Sequence, residues 1–290
     1  MKLGLHIANF TWDGGPAALG STLARVATAA EDADFDNLSV MDHLWQIRGV
    51  GPKDHDMLEA YTALGYLAAL TKRVRLLTIV TAVTYRSPGL LAKAVSTLDV
   101  LSGGRASLGL GAAWNEEEAI GLGLGYAPTA IRFEMLEEAL QVCHQMFSDD
   151  DGPYSGKHYQ LGATLNSPQS LQRPHPPIMV GGGGEKKTLR LVAQYADACN
   201  LFGGAEAGHK LEVLRGHCEA VGRNYDEIEK TSMLALDPGP NGANVGPLLE
   251  SLRGLHELGF TSVSAMAAGP NPVPVIEIIG RDIIPVIATW

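Results

Sequence analysis

Apolar positions along the chain follow two periods that take turns. Short aliphatic and β-branched runs at 3–8 (LGLHIA), 37–41, 74–84, 106–110, 178–180, 198–202, 230–236 and 260–265 predict strands. Apolar residues at helical spacing predict helices over 17–33, 57–70, 89–101, 132–147, the segment after Gly184, 207–221, 247–258 and 273–287. Each strand is followed by a helix, which implies parallel strands. Eight such units in a chain of 290 residues predict an α/β fold, a (β/α)8 TIM barrel. A doubly wound open sheet is the alternative, but it would normally carry a GxGxxG fingerprint after its first strand, where this chain has ANFTWDGGP. The rhythm breaks after the fourth strand. Residues 115–176 hold a helix and a Tyr/Gly/Pro-rich piece suited to a hairpin, so the expectation is one barrel domain over 1–290 with an insertion at about 115–176.

Composition narrows the partners. Hydrophobic residues make up 46% of the chain, ample for one large core. A net charge of −10 without a basic stripe argues against nucleic acid and anionic membranes. Cys143, Cys199 and Cys218 are odd in number and lack CxxC spacing, so neither a disulfide framework nor a metal knuckle is expected. No signal-peptide pattern and no apolar run of about 18 residues, the usual spanning length, is seen, and a cytoplasmic location is the expectation.

In such a barrel the reactive residues sit just beyond the carboxyl ends of the strands. Here those positions are Asn9, Phe10 and Trp12; Asp42 and His43; Thr81 to Tyr85; Gly111 to Asn115; Gly181 to Glu185; and Asn200 to Gly204. Glycines, hydroxyls and amides outnumber carboxylates, which suits a large planar ligand with a phosphate better than hydrolysis by paired acids. The stretch PIMVGGGGEKKTLR (177–190) reads as strand, tight turn and helix. Its four glycines are open to two uses, a backbone cradle for an anion or a plain tight turn. Asp42 with His43 is an acid beside an imidazole, able to bind a polar ring and handle a proton; a loop cap with an exposed histidine is the other use of the pair. His6, Asp42, His43 and His55 lie near strand ends but lack converging ligand spacing, so no metal is expected, and His6 reads as a hydrogen-bonded core histidine. No serine sits in GxSxG and Cys199 lies inside its strand.

Longer stretches carry a resemblance. LGLHIANF, VMDH (40–43), TAVTYRSPGLLAKAVSTLDVLSGGRASLGLGAAWNEEE (81–118), YSGKHYQL (154–161) and PIMVGGGGEKKTLRLVAQYADACNLFG (177–203) are similar to the luciferase-like monooxygenase superfamily, and within it to the deazaflavin (coenzyme F420) dependent oxidoreductases. The resemblance implies a hydride passed at an isoalloxazine-like ring at the barrel mouth. Asp42 would lie near that ring and His43 near cofactor and substrate. A nonprolyl cis peptide would fall around Ile79 and Val80, with Thr81 beyond. Gly111, Ala112, Ala113 and Asn115 would line the ribityl side, and Gly182, Gly183 and Gly184 would bind the phosphate, with Lys186, Lys187 and Arg190 near the acidic tail. One departure stands out: sugar-phosphate dehydrogenase members close the glycine loop with a glutamate acid, where this chain has Ala113 and Trp114, and Glu116 follows only in the next helix. That reaction is therefore not expected. Trp12, Trp45 and Trp114 are available for an apolar substrate wall or for core packing.

The expected function is an oxidoreductase that transfers a hydride between coenzyme F420 and a small-molecule substrate. The alternatives are an FMN-dependent luciferase-like monooxygenase using oxygen and, from another class, a cofactor-binding protein without turnover. A homodimer is compatible with the resemblance, although no sequence feature fixes it.

Overall fold

A computed structural model describes residues 1–267 and 269–290. Its strands are β1 (Lys2–Ile7), β2 (Asn37–Val40), β3 (Arg75–Thr78), β4 (Thr81–Ala82), β5 (Leu108–Gly111), β6 (Tyr154–Ser155), β7 (Gln160–Leu161), β8 (Ile178–Gly181), β9 (Ala198–Phe202), β10 (Glu229–Leu236) and β11 (Ser262–Ala267). The helices are α1 (Gly15–Asp32), α2 (Ala60–Leu70), α3 (Pro88–Ser102), α4 (Glu116–Gly121), α5 (Thr129–Met146), α6 (Thr188–Tyr195), α7 (Ala207–Val221), α8 (Val245–Glu257), α9 (Val273–Asp282) and α10 (Ile284–Ile287). The main sheet is parallel throughout and runs β3-β2-β1-β11-β10-β9-β8-β5-β4. β3 and β4 are halves of one strand broken at a cis Ile79–Val80 peptide, so the two ends of that order meet and the sheet closes into a barrel. A bridge between Leu76 and Ala106 completes the seam.

The period-two pattern assigns each strand residue a side. Leu3, Leu5 and Ile7 of β1 join the large apolar core between sheet and helices, with Leu38, Leu76, Leu108, Ile178 and Val263. Alternation then turns Gly4 and His6 inward. The barrel interior holds a much smaller apolar cluster, Leu77, Ile79, Met179 and Ala198. Its closed end is ionic: Arg75 pairs with Asp36 and with Glu229 (3.2 Å), and Lys2 lies 3.6 Å from Asp36 and 3.8 Å from Glu229. The open end lies at the carboxyl ends of the strands.

Between β5 and β8 the chain forms α4, then α5, which packs between α3 and α6, then the antiparallel β6–β7 hairpin. Among the expected elements that differ in extent, three do so for a visible reason. The run 74–84 is two strands, not one, because the cis peptide turns the chain between Thr78 and Thr81. The helix expected from Met57 begins at Ala60, where the Glu59 carboxylate accepts from the Thr62 N–H (2.7 Å) and caps it. The last helix breaks at Ile283, since Pro285 has no N–H to continue it.

Candidate functional site at the barrel mouth

Three glycines and one valine shape the centre of the mouth. The peptide turn at Ile79–Val80 pushes the Val80 side chain across toward β5 and β8. A Cβ on Gly111 would sit 2.8 Å from Val80 Cγ2, and one on Gly181 2.9 Å from both Val80 methyls. A Cβ on Gly109 would be only 1.9 Å from the Thr78 carbonyl oxygen. No other residue fits at these points, which explains the GLG run and the first glycine of the tetraglycine turn. The result is a close-packed apolar shelf.

Asp42 and His43 leave β2 together and part at once, because successive side chains at a strand end point opposite ways. Asp42, its side chain 1% exposed, receives both terminal nitrogens of Arg86, one of them at 2.9 Å from Oδ1. Arg86 also pairs with Glu59 and stacks over Tyr61. Burial nevertheless pushes the Asp42 carboxyl above its ordinary range, with Arg86 opposing it. Thr81 is likewise sunk beneath the mouth: its hydroxyl meets Tyr61 Oη (2.9 Å) and Thr78 Oγ1 (3.0 Å).

His43 turns instead to a residue that the sequence did not single out. Its Nδ1 lies 2.6 Å from Oε2 of Glu118, whose side chain is fully buried. The same carboxylate accepts from Tyr85 Oη (2.6 Å), Asn115 Nδ2 (3.0 Å) and the backbone N–H groups of Leu44 and Trp45 (3.0 Å from Trp45). Burial alone would raise this carboxyl, but the hydrogen bonds from His43, Tyr85 and Trp45 outweigh it and hold Glu118 below its ordinary range. An ionised acceptor on Nδ1 requires the proton there, so Nε2 is the nitrogen left to meet a ligand. Trp114, 60% exposed, stands edge-on to the imidazole at 5.3 Å between centroids.

A signal for Glu118 was present in the sequence. Asn115 and Glu118 have capping-box spacing, and Asn115 does cap α4. Its side chain is therefore committed to the helix and to Glu118. Ala113 takes a left-handed backbone (φ 64°), and Arg132 of α5 donates to the Ala112 carbonyl (2.9 Å), which fixes the loop.

The tetraglycine turn divides its amides. The Gly182 N–H donates to the Asn200 carbonyl oxygen (3.1 Å) and extends the ladder, whereas the N–H groups of Gly183 and Gly184 have no partner among the described residues. Lys210 reaches over the turn to the Gly183 carbonyl (3.0 Å). Of the cations after the turn, Arg190 on α6 is held by Glu137 (2.6 Å), whereas Lys187 and Lys186 precede that helix: Lys187 lies 5.4 Å from the Phe133 ring centroid and Lys186 is exposed.

His6 faces the interior with Nδ1 2.9 Å from Ser39 Oγ and with Nε2 buried and unpartnered among the described residues. Burial pushes its pKa down from 6.5 to about 4. The unfolded chain takes up this proton near 6.5 and the folded chain resists until about 4, so the stability that the neutral ring confers is present above 6.5 and lost as pH falls through that window. Urea unfolding of the wild type is expected to lose on the order of 3 kcal/mol from this group between those limits. His6→Phe removes that part of the slope; an unchanged slope would contradict the buried neutral ring.

The sequence profile of the luciferase-like monooxygenases matches residues 1–241. The chain belongs to the luciferase-like monooxygenase family. Within this family it is 32% identical over 220 residues to an F420-dependent glucose-6-phosphate dehydrogenase of Nakamurella multipartita, covering 72% of this chain and 61% of that one. It is 30% identical over 188 residues to the pyrimidine monooxygenase RutA of Acinetobacter baylyi, covering 62% of this chain and 48% of that one. An F420-dependent secondary alcohol dehydrogenase solved with an F420–acetone adduct superposes with a TM-score of 0.81 at 17% identity, covering 97% of this chain and 98% of that one, which establishes the shared barrel. Family members named for F420 and family members named as monooxygenases thus both stand near this chain. No helix among the described residues is long and apolar enough to cross a membrane.

Proposed function

We propose that this protein is an oxidoreductase that moves a hydride between coenzyme F420 and a small organic substrate at the barrel mouth. The observation that carries the proposal is His43, at the carboxyl end of β2 and fixed through Nδ1 by the buried Glu118 carboxylate, which leaves Nε2 as the nitrogen for a ligand. Oxidation of an alcohol releases one proton from oxygen as the C–H hydride departs, and a carbonyl regains that proton in the reverse direction. Nε2 takes or returns the proton, and Glu118 balances the charge that forms on the ring.

The mouth fits a deazaflavin. The Val80 shelf, with Ile79 beneath it and Gly111, Ala112 and Ala113 alongside, offers an apolar seat for a ring. Gly183 and Gly184 have amides free for a phosphate, with the Gly182 amide held in the ladder, and exposed Lys186 is placed for an acidic tail. Bound there, the cofactor would supply a two-electron hydride carrier. Asp42, buried under the mouth with Arg86, acts as the strut that sets the height of the loop bearing His43. The kinship with F420-dependent dehydrogenases supports this choice of cofactor, and the use of an FMN and oxygen by a monooxygenase is the rival.

A parallel titration of the purified protein decides between them. F420 is expected to bind tighter than FMN by about tenfold or more. A protein that arrives yellow with flavin, or that consumes oxygen with reduced FMN, overturns the proposal in favour of a monooxygenase.

A further inference from the structure

A cavity of about 450 Å³ opens at the mouth over β1, β10 and β11, bounded by Trp12, Val50, Met266 and Pro270, with His6 among its lining residues. It lies on the arc β10-β11-β1, whereas the Val80 shelf lies on the opposite arc, β4-β5-β8, so both places can be filled at once. The cavity shares the loop after β2 with His43, since Gly49, Val50 and His55 line it. Among the described residues its walls contain no lysine, arginine, aspartate or glutamate.

The polar groups of the lining mostly satisfy each other. Asn9 Nδ2 donates to His55 Nδ1 (3.2 Å), Asn9 Oδ1 accepts from the Thr11 N–H (2.9 Å), and Thr11 Oγ1 accepts from the Asp56 N–H (2.7 Å). His6 Nε2 is the one buried polar atom of the lining left without a partner among the described residues, on a residue only 2% exposed. The Ser39 hydroxyl is directed at the Leu5 carbonyl (3.4 Å), so Ser39 Oγ accepts from His6 Nδ1–H and Nε2 carries a bare lone pair.

We propose that this cavity binds a neutral, largely apolar molecule that donates one hydrogen bond, from a hydroxyl or an N–H, to His6 Nε2. The proposal deepens the function above and rests on it: the occupant would be the substrate, the donor to His6 being a group other than the one that exchanges a proton with His43, and it runs against phosphorylated or carboxylated substrates. Two features support it. An uncharged wall gives an anion no counter-ion, and His6, neutral at physiological pH, supplies none. A lone pair with no donor loses the solvation it had in water, and a ligand donor restores it.

Cyclohexanol, methoxycyclohexane and cyclohexanecarboxylate are probes of one ring with three polar ends. Their binding to the full chain, without cofactor, is measured by calorimetry and by the 15N resonance of His6 Nε2. Cyclohexanol is expected to bind and to move that resonance, and the ether to bind roughly tenfold more weakly, as loss of one buried hydrogen bond implies. The carboxylate should not bind measurably. In His6→Phe the alcohol should fall to the affinity of the ether, and Met266→Trp, which fills the cavity, should weaken all binding. Equal affinity of alcohol and ether in the wild type, preference for the carboxylate, or no binding of any probe overturns the proposal, and the wild-type series stands even if His6→Phe does not fold. Because no cofactor or turnover is involved, failure of the F420 titration with this binding intact counts against the function alone. The reverse result counts against the cavity alone.

Discussion

On the proposed function, replacing His43 with Ala is expected to lower hydride transfer by roughly 10²- to 10⁴-fold, the usual worth of a positioned proton-transfer group, with F420 affinity little changed. The imidazole has a carboxylate on one nitrogen and, among the described residues, no partner on the other. Glu118→Gln keeps the shape of that support but removes the charge that offsets the developing imidazolium, so a smaller loss in the same rate is expected. Both are measured in a single turnover with bound cofactor, which separates chemistry from product release. Full rate in His43→Ala would remove the histidine from the mechanism, and an equal loss of cofactor binding would make its role structural.

The second large effect is on stability. Arg86→Met leaves the Asp42 carboxylate buried without its partner, a change that typically costs about 3–5 kcal/mol. Burial already raises the Asp42 pKa, and loss of Arg86 raises it further. A carboxyl with a raised pKa binds its proton more tightly in the folded than in the unfolded chain, so stability falls as pH rises from the ordinary Asp range through the folded value. The deficit of Arg86→Met should therefore shrink when urea unfolding is repeated at acidic pH. Adding Asp42→Asn should recover most of it at neutral pH. A deficit that neither acid nor the second substitution relieves would mean that Arg86 acts through its stacking on Tyr61.

The barrel was legible because its cause is repetitive. Leu3, Leu5 and Ile7 must face helices on one side, and the same demand recurs in every strand. The break at Ile79–Val80 was legible only through family resemblance, since a β-branched run looks the same whichever way one peptide bond is turned. Val80 gives a reason for Gly111 and Gly181 that composition could not, because it depends on a side chain from another strand. Glu118 was concealed in a run of three glutamates. Glu116 and Glu117 face solvent and Glu118 is buried; its spacing from Asn115 marks it only as a capping partner, and its burial comes from the packing of α4 against the loop after β2. The Asp42–His43 doublet shows the opposite limit: two neighbours in sequence serve different partners 44 and 75 positions away. His6, expected to be a satisfied core histidine, is satisfied on one nitrogen only.

The ionic plug of Lys2, Asp36, Arg75 and Glu229 at the closed end of the barrel sets a division of labour along its axis. The starts of β1, β3 and β10 and the residue before β2 are tied together from below, by charges that belong to none of the loops bearing His43, Glu118 or the glycine turn. New specificities can therefore be sought by exchanging whole mouth loops, with the foundation left as it stands.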